Sequence, residues 1–576
     1  MKVTIAKTAG FCMGVRRAVE IAFDAANATS APIYTYGPLI HNPQVLSLLE
    51  EKGISVIDEI PEQGEGIVIV RAHGVPPQHR QALIDAGFDV IDATCPRVIK
   101  VQSIISRHAR QGYSSIIVGD RDHPEVIGLL GYADEKGYVI DNLASLSQLP
   151  DFEKAIIVTQ TTQNSEFFEA VRRWTRKYHP DYKIFNTICD STEKRQAEIK
   201  AFAAGVDAVI VVGGYNSGNT RRLAEIASEG GKAALHVETA ADIDIKSLAD
   251  VRHIGITAGA STPNWIIKQV YQDLEARMAE GKNPLYRTAF SLMRFLVNSN
   301  IYLAAGAGCL TLAATWLQSL PLHIAPILVA AFYILAMHTV NQMLERQSDR
   351  YNDPYRAEFY QKNRYALSAL AIFACAGALL TSWLMGPLLF LLVFCMSLLG
   401  VLYNMDYVTK TGGRSARPGL KNIPGSKTVL TALGWGIVTA LLPGLYLVGY
   451  ITPSGILVFV WICAMVLVRT AYFDIMDMQG SRILGRGTIP ILLGEKRTLR
   501  LLKGVLVAMI LALPLFVAAG IIPPAGMLLV LCPAVMYLFL QGYEQKMIFS
   551  TLQRGFVMET FFILAGAVAA LGMLVF

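Results

Sequence analysis

The sequence predicts two unlike domains in one chain: an α/β domain with mainly parallel sheets, then an all-α polytopic membrane domain with about nine transmembrane helices. Three observations carry this. Up to residue 280, short Val- and Ile-rich runs alternate with polar or glycine-containing turns and helical stretches. After Arg294 the chain becomes a succession of apolar segments near bilayer length. The loops between those segments alternate between long, basic ones and short, almost uncharged ones. The expected division is residues 1–280, a linker at 281–294, and 295–576.

Composition limits the function classes. Of 576 residues, 53% are hydrophobic and 17% charged, too apolar for a wholly soluble chain. The net charge of +6 comes with no Lys/Arg run of the kind that tracks phosphates, so no nucleic-acid partner is expected. The excess fits positive charge on cytoplasmic membrane loops. Residues 1–10 lack a signal-peptide apolar core, which places the first half in the cytoplasm.

In chain order, the strand-like runs are Val3–Ala6, Ile67–Val70, Val90–Ile91, Ser115–Val118, Ala155–Val158, Ala208–Val212 and Ile254–Ile256. Each leads into a turn and a helix, and ligands of such sheets bind beyond the carboxyl ends of the strands. The unusual polar residues collect there. Cys12, Cys95 and Cys189 each precede a helix, where the dipole favours a thiolate. Being odd in number and far apart, they point to a zinc site or an iron–sulfur cluster assembled from distant turns. Cys309, Cys375, Cys395, Cys463 and Cys532 sit in apolar segments and read as packing residues. His41, His73 and His123 occupy similar turns beside Thr161, Ser217, Asn219 and Ser261, a donor set suited to phosphate oxygens. Glu125, after His123 and Pro124, is the best-placed acid for proton transfer.

These residues carry a resemblance. Phe11-Cys12-x-Gly14-Val15, Ile40-His41-Asn42, Arg71-Ala72-His73-Gly74, Thr94-Cys95-Pro96, His123-Pro124-Glu125, Thr161-Thr162, Ile188-Cys189, Ser217-x-Asn219 and Ala260-Ser261 resemble the 4-hydroxy-3-methylbut-2-enyl diphosphate reductases of the LytB/IspH family. The resemblance implies a three-lobed fold around a [4Fe-4S] cluster on Cys12, Cys95 and Cys189. It implies diphosphate binding by His41, His73, His123, Ser217, Asn219 and Ser261, proton delivery by Glu125, and a substrate oxygen positioned by Thr161. The reaction would be a two-electron reductive dehydroxylation yielding isopentenyl and dimethylallyl diphosphate. A small electron-transfer protein of ferredoxin or flavodoxin type is the expected partner. Gly218 stands where the family usually has serine, leaving a backbone N–H but no side-chain contact.

The apolar segments of the second half centre on Leu303, Ala330, Ala374, Val393, Trp435, Cys463, Ile510, Val530 and Leu564. The long basic loops run 346–364, 410–427 and 482–503. Positive-inside reasoning puts them on the cytoplasmic side of the inner membrane and the C-terminus on the other. Asn341, Glu345 and Asp349 fall on one helical face, as do Asp474 and Asp477. Acids at membrane depth are costly and functional, and two such clusters suit Mg²⁺ bridging a diphosphate. A cation transporter is the competing reading; nearby arginines and Lys421 favour an anionic substrate.

The two clusters resemble the paired motifs of UbiA-type intramembrane prenyltransferases, and Gly485–Gly494 resembles the stretch downstream of the family's second motif. The resemblance implies transfer of a prenyl group from its diphosphate to a lipid or aromatic acceptor within the bilayer, with Tyr403 and Lys421 near the phosphate. Gln342 and Glu345 replace two aspartates of the first motif, and Ser481 stands where another acid is common. A catalytically inactive membrane anchor is the alternative. The stretch 281–294 reads as a tether between early and late isoprenoid steps.

Overall fold

The computed structural model describes residues 2–575 except 230, 232, 245–247, 249–250, 281–282, 345–350, 405–422 and 546–550. The chain divides into two compact units, Met1–Met278 and Ala279–Phe576.

Among the described residues, the first unit is built on three four-stranded sheets. The strands are β1 (Lys2–Ile5), β2 (Ile33–Tyr36), β3 (Ile54–Ile57), β4 (Ile67–Val70), β5 (Asp89–Asp92), β6 (Ser114–Val118), β7 (Gly137–Ile140), β8 (Ala155–Thr159), β9 (Lys183–Ile184), β10 (Ala208–Val212), β11 (Ala233–Val237) and β12 (His253–Ala258). The sheet orders are β1-β12-β10-β11, β3-β2-β4-β5 and β7-β6-β8-β9, and the paired strands run parallel. The α/β reading with parallel sheets is therefore what the chain forms.

The central strands β6, β8 and β10 are buried along their whole length. Helices cover both sheet faces, so these strands read as continuous apolar runs rather than alternating ones. Each fully buried Ile or Val of β6, such as Ile116 and Ile117, contributes about 1.5–3 kcal/mol through its burial.

The three sheets repeat one plan. An edge strand (β1, β5 or β9) leads to a helix capped by Cys12, Cys95 or Cys189. Its neighbour (β12, β4 or β8) leads to the turn of Ser261, His73 or Thr161. The third strand (β10, β2 or β6) leads to Ser217–Asn219, His41 or His123–Glu125. Three lobes with equivalent strand ends thus supply one cysteine and two polar turns each.

The second unit is helical. Among the described residues, seven helices are long and apolar enough to cross a membrane: Ile324–Leu344, Arg364–Met385, Ser426–Leu447, Pro453–Met476, Glu495–Ala518, Pro524–Glu544 and Leu552–Val575. Pro284–Asn298 and Ile301–Leu317 form a further pair bent by 70°. Pro387–Asn404 is apolar as well. Every centre expected from the sequence falls within one of these helices.

Between apolar helices in lipid, close packing replaces the hydrophobic effect as the cohesive force. Ile301–Leu317 meets Thr551–Val575 through glycines: a methyl on Gly566 would stand 2.4 Å from Cys309 Cβ, and one on Gly572 would stand 2.2 Å from the Trp316 ring. Cys309 is thus a packing residue. Cys532 is fully buried, and the Cys463 thiol donates to Ala432 O at 3.3 Å.

Candidate active sites

The three cysteines are each the N-cap of a helix: Met13–Ala28, Pro96–Ala109 and Asp190–Ala204. Their backbones are fixed in the same way. The Cys12 N–H donates to Ala260 O at 3.1 Å, the Cys95 N–H to Ala72 O at 2.9 Å, and the Cys189 N–H to Thr161 O at 2.9 Å. Each bond runs to the turn at the end of the neighbouring strand. The sulfur site and the polar turns are therefore one assembly, bonded at three equivalent places.

Gly14 shows how close the cysteines come. A Cβ there would lie 2.4 Å from Cys95 Sγ, so the first turn after Cys12 has room for that sulfur only because residue 14 lacks a side chain. Among the described residues, His41, His73 and His123 bring three ligand atoms within 4.8 Å of one another. Three cysteines at three helix starts are a donor set that suits a thiolate-bound metal group, an iron–sulfur cluster among them.

The expectation that helix dipoles alone favour thiolates needs correction. Burial is the largest effect and pushes the Cys95 and Cys189 thiols up, although backbone N–H groups of the following residues pull them down. Without a ligand, desolvation outweighs the dipole, and metal loading must release the protons.

Arg195 escaped the sequence reading. It is buried, donating to Gly10 O at 2.6 Å and Ala258 O at 3.0 Å, with Cys12 and Cys189 among its electrostatic neighbours. Its one sequence signal is its place on the second turn of the Cys189 helix.

Beside the sulfurs stand the three histidines, with ring centroids 4.8 Å (His41–His73), 5.8 Å (His41–His123) and 5.3 Å (His73–His123) apart. The Glu125 N–H donates to His123 Nδ1 at 3.1 Å, so in the neutral ring the proton sits on Nε2 as a donor. Ser261 Oγ donates to His41 O at 3.0 Å and lies 3.4 Å from Ser217 Oγ. His41 Nε2, His73 Nδ1 and Asn219 Nδ2 are buried without a hydrogen-bond partner. Orphaned buried polar atoms are costly, and a polar ligand would satisfy these.

Charge decides which ligand. Burial comes first in lowering all three histidines, with His73 well below the usual range and His123 at about 4. Arg71 acts on all three, Arg221 on His41, and Arg222 on His123. The rings are therefore neutral near pH 7. A ring of guanidinium groups repels a cation and attracts an anion. Arg222 also pairs with Asp120 at 2.9 Å and donates to Thr162 O at 2.7 Å, joining the turn after β6 to the helix Gly218–Glu229. Arg221 and Arg222 were missed because each lies beyond the recognised positions, and Arg71 was quoted in the His73 motif without a role.

Gly218 opens that helix and offers its N–H group. A Cβ there would find Arg222 Nη1 and Asp120 Oδ2 at 3.9 Å and His123 Cδ2 at 4.0 Å, all ordinary contacts. A Gly218→Ser variant is therefore expected to fold and to gain one hydroxyl donor. The expected result is inorganic diphosphate bound about 5-fold more tightly, the worth of one net hydrogen bond of about 1 kcal/mol.

Glu125 is wholly buried. It accepts from the Thr161 N–H at 2.6 Å on Oε1 and from Thr161 Oγ1 at 2.8 Å on Oε2. Burial raises its pKa to about 7, with the Thr161 bonds opposing. A carboxyl poised there can give a proton at working pH.

In the second unit, Asn341 lies on Ile324–Leu344, and Asp474 lies near the end of Pro453–Met476, with Asp477 at its C-cap. Thr428 Oγ1 donates to Asp474 Oδ2 at 2.5 Å, and the Tyr403 hydroxyl meets Ser426 Oγ at 2.8 Å. Trp435 Nε1 donates to His338 Nε2 at 3.2 Å, linking the helix after Gly425 to the helix of Asn341. A methyl on Gly480 would stand 2.0 Å from Asn352 Oδ1, so the turn after the second motif packs on the segment after the first. Carboxylates with an amide oxygen suit Mg²⁺. Glu345, Asp349 and Lys421 lie outside the described residues.

Comparison with known proteins agrees with both halves. The family model described as LytB protein matches residues 3–275, and that described as UbiA prenyltransferase family matches residues 301–573. The 4-hydroxy-3-methylbut-2-enyl diphosphate reductase of Geobacter sulfurreducens is 42% identical over 275 residues, covering 48% of this chain and 97% of that protein. The solved E-1-hydroxy-2-methyl-but-2-enyl-4-diphosphate reductase of Plasmodium falciparum is 28% identical with a TM-score of 0.46, covering 50% of this chain and 89% of the other. A UbiA homologue from Archaeoglobus fulgidus, solved with GPP and Mg²⁺ bound, is 15% identical with a TM-score of 0.36, covering 48% of this chain and 99% of the other. The chain belongs to the LytB family through its first half, and its second half matches the UbiA prenyltransferase family model over residues 301–573.

Proposed function

We propose that the chain is a bifunctional isoprenoid enzyme. Its first half reductively dehydroxylates 4-hydroxy-3-methylbut-2-enyl diphosphate to isopentenyl and dimethylallyl diphosphate. Its second half transfers a prenyl group from a prenyl diphosphate to a lipid or aromatic acceptor. The observation that carries the first reading is the set of orphaned buried polar atoms on His41, His73 and Asn219, with arginines acting on the histidines and with the turns of Ser261, His73 and Thr161 bonded through backbone to the three cysteines.

When bound by Cys12, Cys95 and Cys189, a [4Fe-4S] cluster supplies electrons, received from a ferredoxin- or flavodoxin-type protein, and a Lewis-acidic iron. The chain's own residues do the rest. His41, His73, His123, Ser217, Gly218, Asn219 and Ser261 hold the diphosphate. Thr161 orients the substrate oxygen, and Glu125 gives the proton with which that oxygen leaves as water. Two electrons and two protons are consumed for each hydroxyl lost.

In the second half, Asn341, Glu345, Asp349, Asp474 and Asp477 would hold Mg²⁺ against the prenyl diphosphate, with Lys421 near the phosphate. The unit would sit in the inner membrane, with residues 1–280 on the cytoplasmic side, the C-terminus opposite, and 281–294 as tether. Asp477→Asn is expected to remove Mg²⁺-dependent transfer of labelled prenyl groups while leaving reduction intact.

Anaerobic purification tests the first half. Iron and labile sulfide with reductase turnover are expected; a colourless, zinc-containing protein without them would refute it. A further measurement reads the histidines. Diphosphate binding raises the pKa of His123 from about 4, so protons enter the site on binding and affinity weakens as pH rises toward the bound-state value. Calorimetry in buffers of different ionisation enthalpy should reveal this uptake near neutral pH. Identical heats in all buffers would exclude it.

A further inference from the structure

The helix Pro284–Asn298 belongs to neither site. Its polar residues Arg287, Ser291, Arg294 and Asn298 recur three or four apart and share one face. Leu285, Ala289, Leu292 and Leu296 recur at the same spacing on the opposite face. That apolar face is uncovered within its unit: Leu285 is 77% and Leu292 56% exposed. On the flanks, Tyr286 and Phe290 stack, while Phe295 meets Phe359 edge-on at 6.2 Å. Arg294 lies over the Tyr355 ring at 5.1 Å, so the polar side is the one that faces the loop helix Pro354–Lys362.

The next helix, Ile301–Leu317, departs at 70°. The elbow is Asn300, held in the left-handed region at φ 61° and ψ 8°. Few residues other than glycine adopt that conformation, and asparagine is among those that do. Here it is fixed as well as tolerated. Asn300 is buried, its Nδ2 donates to the Tyr360 hydroxyl at 2.8 Å, and its Oδ1 accepts from Arg356 Nη2 at 3.0 Å. The angle between the two helices is therefore a built feature and not a fraying end.

We infer that Pro284–Asn298 lies along a phospholipid surface, with Leu285, Leu292 and Leu296 seated in the acyl boundary and Arg287, exposed on the opposite face, at the level of anionic headgroups. Three features select lipid as the occupant. The helix is continuous with a segment long and apolar enough to span a bilayer. The locked elbow turns it away from that segment's axis. The leucine face carries no polar group with which a protein partner would set a register, whereas aliphatic residues opposite arginines are the pattern of an interfacial helix. The inference stands whether or not either half is catalytically active.

The test uses the full chain in vesicles of phosphatidylcholine and phosphatidylglycerol, with p-benzoylphenylalanine placed singly at Leu285, Arg287, Ser291 and Leu292. After irradiation, mass spectrometry identifies the crosslinked species. Acyl-chain adducts at 285 and 292, with none at 287 and 291, are expected. Asn300→Gly, which frees the elbow, is expected to abolish that sidedness while the chain stays folded. Acyl adducts at all four positions would mean a broken transmembrane span and overturn the inference. Adducts at 285 and 292 to residues 1–278 or to a second copy, or no adducts at all, would overturn it equally.

Discussion

Cys95→Ser is expected to remove iron and reductase turnover together while leaving prenyl transfer untouched. Outer-shell partners of metal ligands typically cost about 10–100-fold in affinity when mutated, so loss of a ligand itself should exceed that. A neutral hydroxyl does not replace a thiolate toward iron. The sharper partner experiment is Gly14→Ala, which keeps all three cysteines. Its methyl would stand 2.4 Å from Cys95 Sγ and 2.9 Å from Cys95 Cβ, both held by a helix start and a backbone bond. The same loss of iron is expected. Full iron content in Gly14→Ala would mean that the Cys95 turn can move, and that the sulfur cradle is not set by this contact. Retention of prenyl transfer in both variants would confirm that the second unit folds and works without the cluster.

Glu125→Gln is expected to lower kcat by about 10²–10⁴ with little change in substrate affinity. Glutamine is isosteric and keeps both contacts: its carbonyl accepts from the Thr161 N–H, and its amide donates to Thr161 Oγ1. Only the proton is lost. Because burial raises the wild-type pKa to about 7, turnover should fall as pH rises through that value, and the limb should vanish in the variant. Stability carries the same signature. A carboxyl raised from 4.5 to about 7 by burial favours the folded state below 4.5, and that contribution is lost as pH rises through 7. The melting temperature of Glu125→Gln relative to wild type should therefore climb across that window. A variant with unchanged kcat, or with the alkaline limb intact, would assign the proton to another group.

The candidate site shows where sequence reading succeeds and where it stops. Cys12, Cys95, Cys189 and the three histidines were legible because strand–turn–helix alternation places such residues at strand ends, and strand ends converge in parallel sheets. Arg195 and Arg222 were not legible, and Arg71 was quoted in a motif without a role. Arginine is ordinary in a surface helix, and only their tertiary partners, Gly10 and Ala258 for Arg195 and Asp120 and Thr162 for Arg222, distinguish those two from solvated ones. Gly218 was visible as a departure, but whether a side chain would fit there depended on the distances to Asp120 and His123.

By itself the sequence determined the two-domain plan, the parallel α/β class and the apolar helices. These come from local periodicity, which every short stretch carries within itself. Tertiary structure alone decided the rest. It set the repeated lobe plan, in which each cysteine backbone is bonded to the turn of its neighbour. It made the histidines neutral, because burial and three arginines outweigh the pull of a site meant for anions. It locked the 70° elbow at Asn300, a residue whose sequence context is ordinary until Tyr360 and Arg356 close around its amide. Each of these rests on contacts between residues far apart in the chain, and such contacts leave no period for a sequence to display.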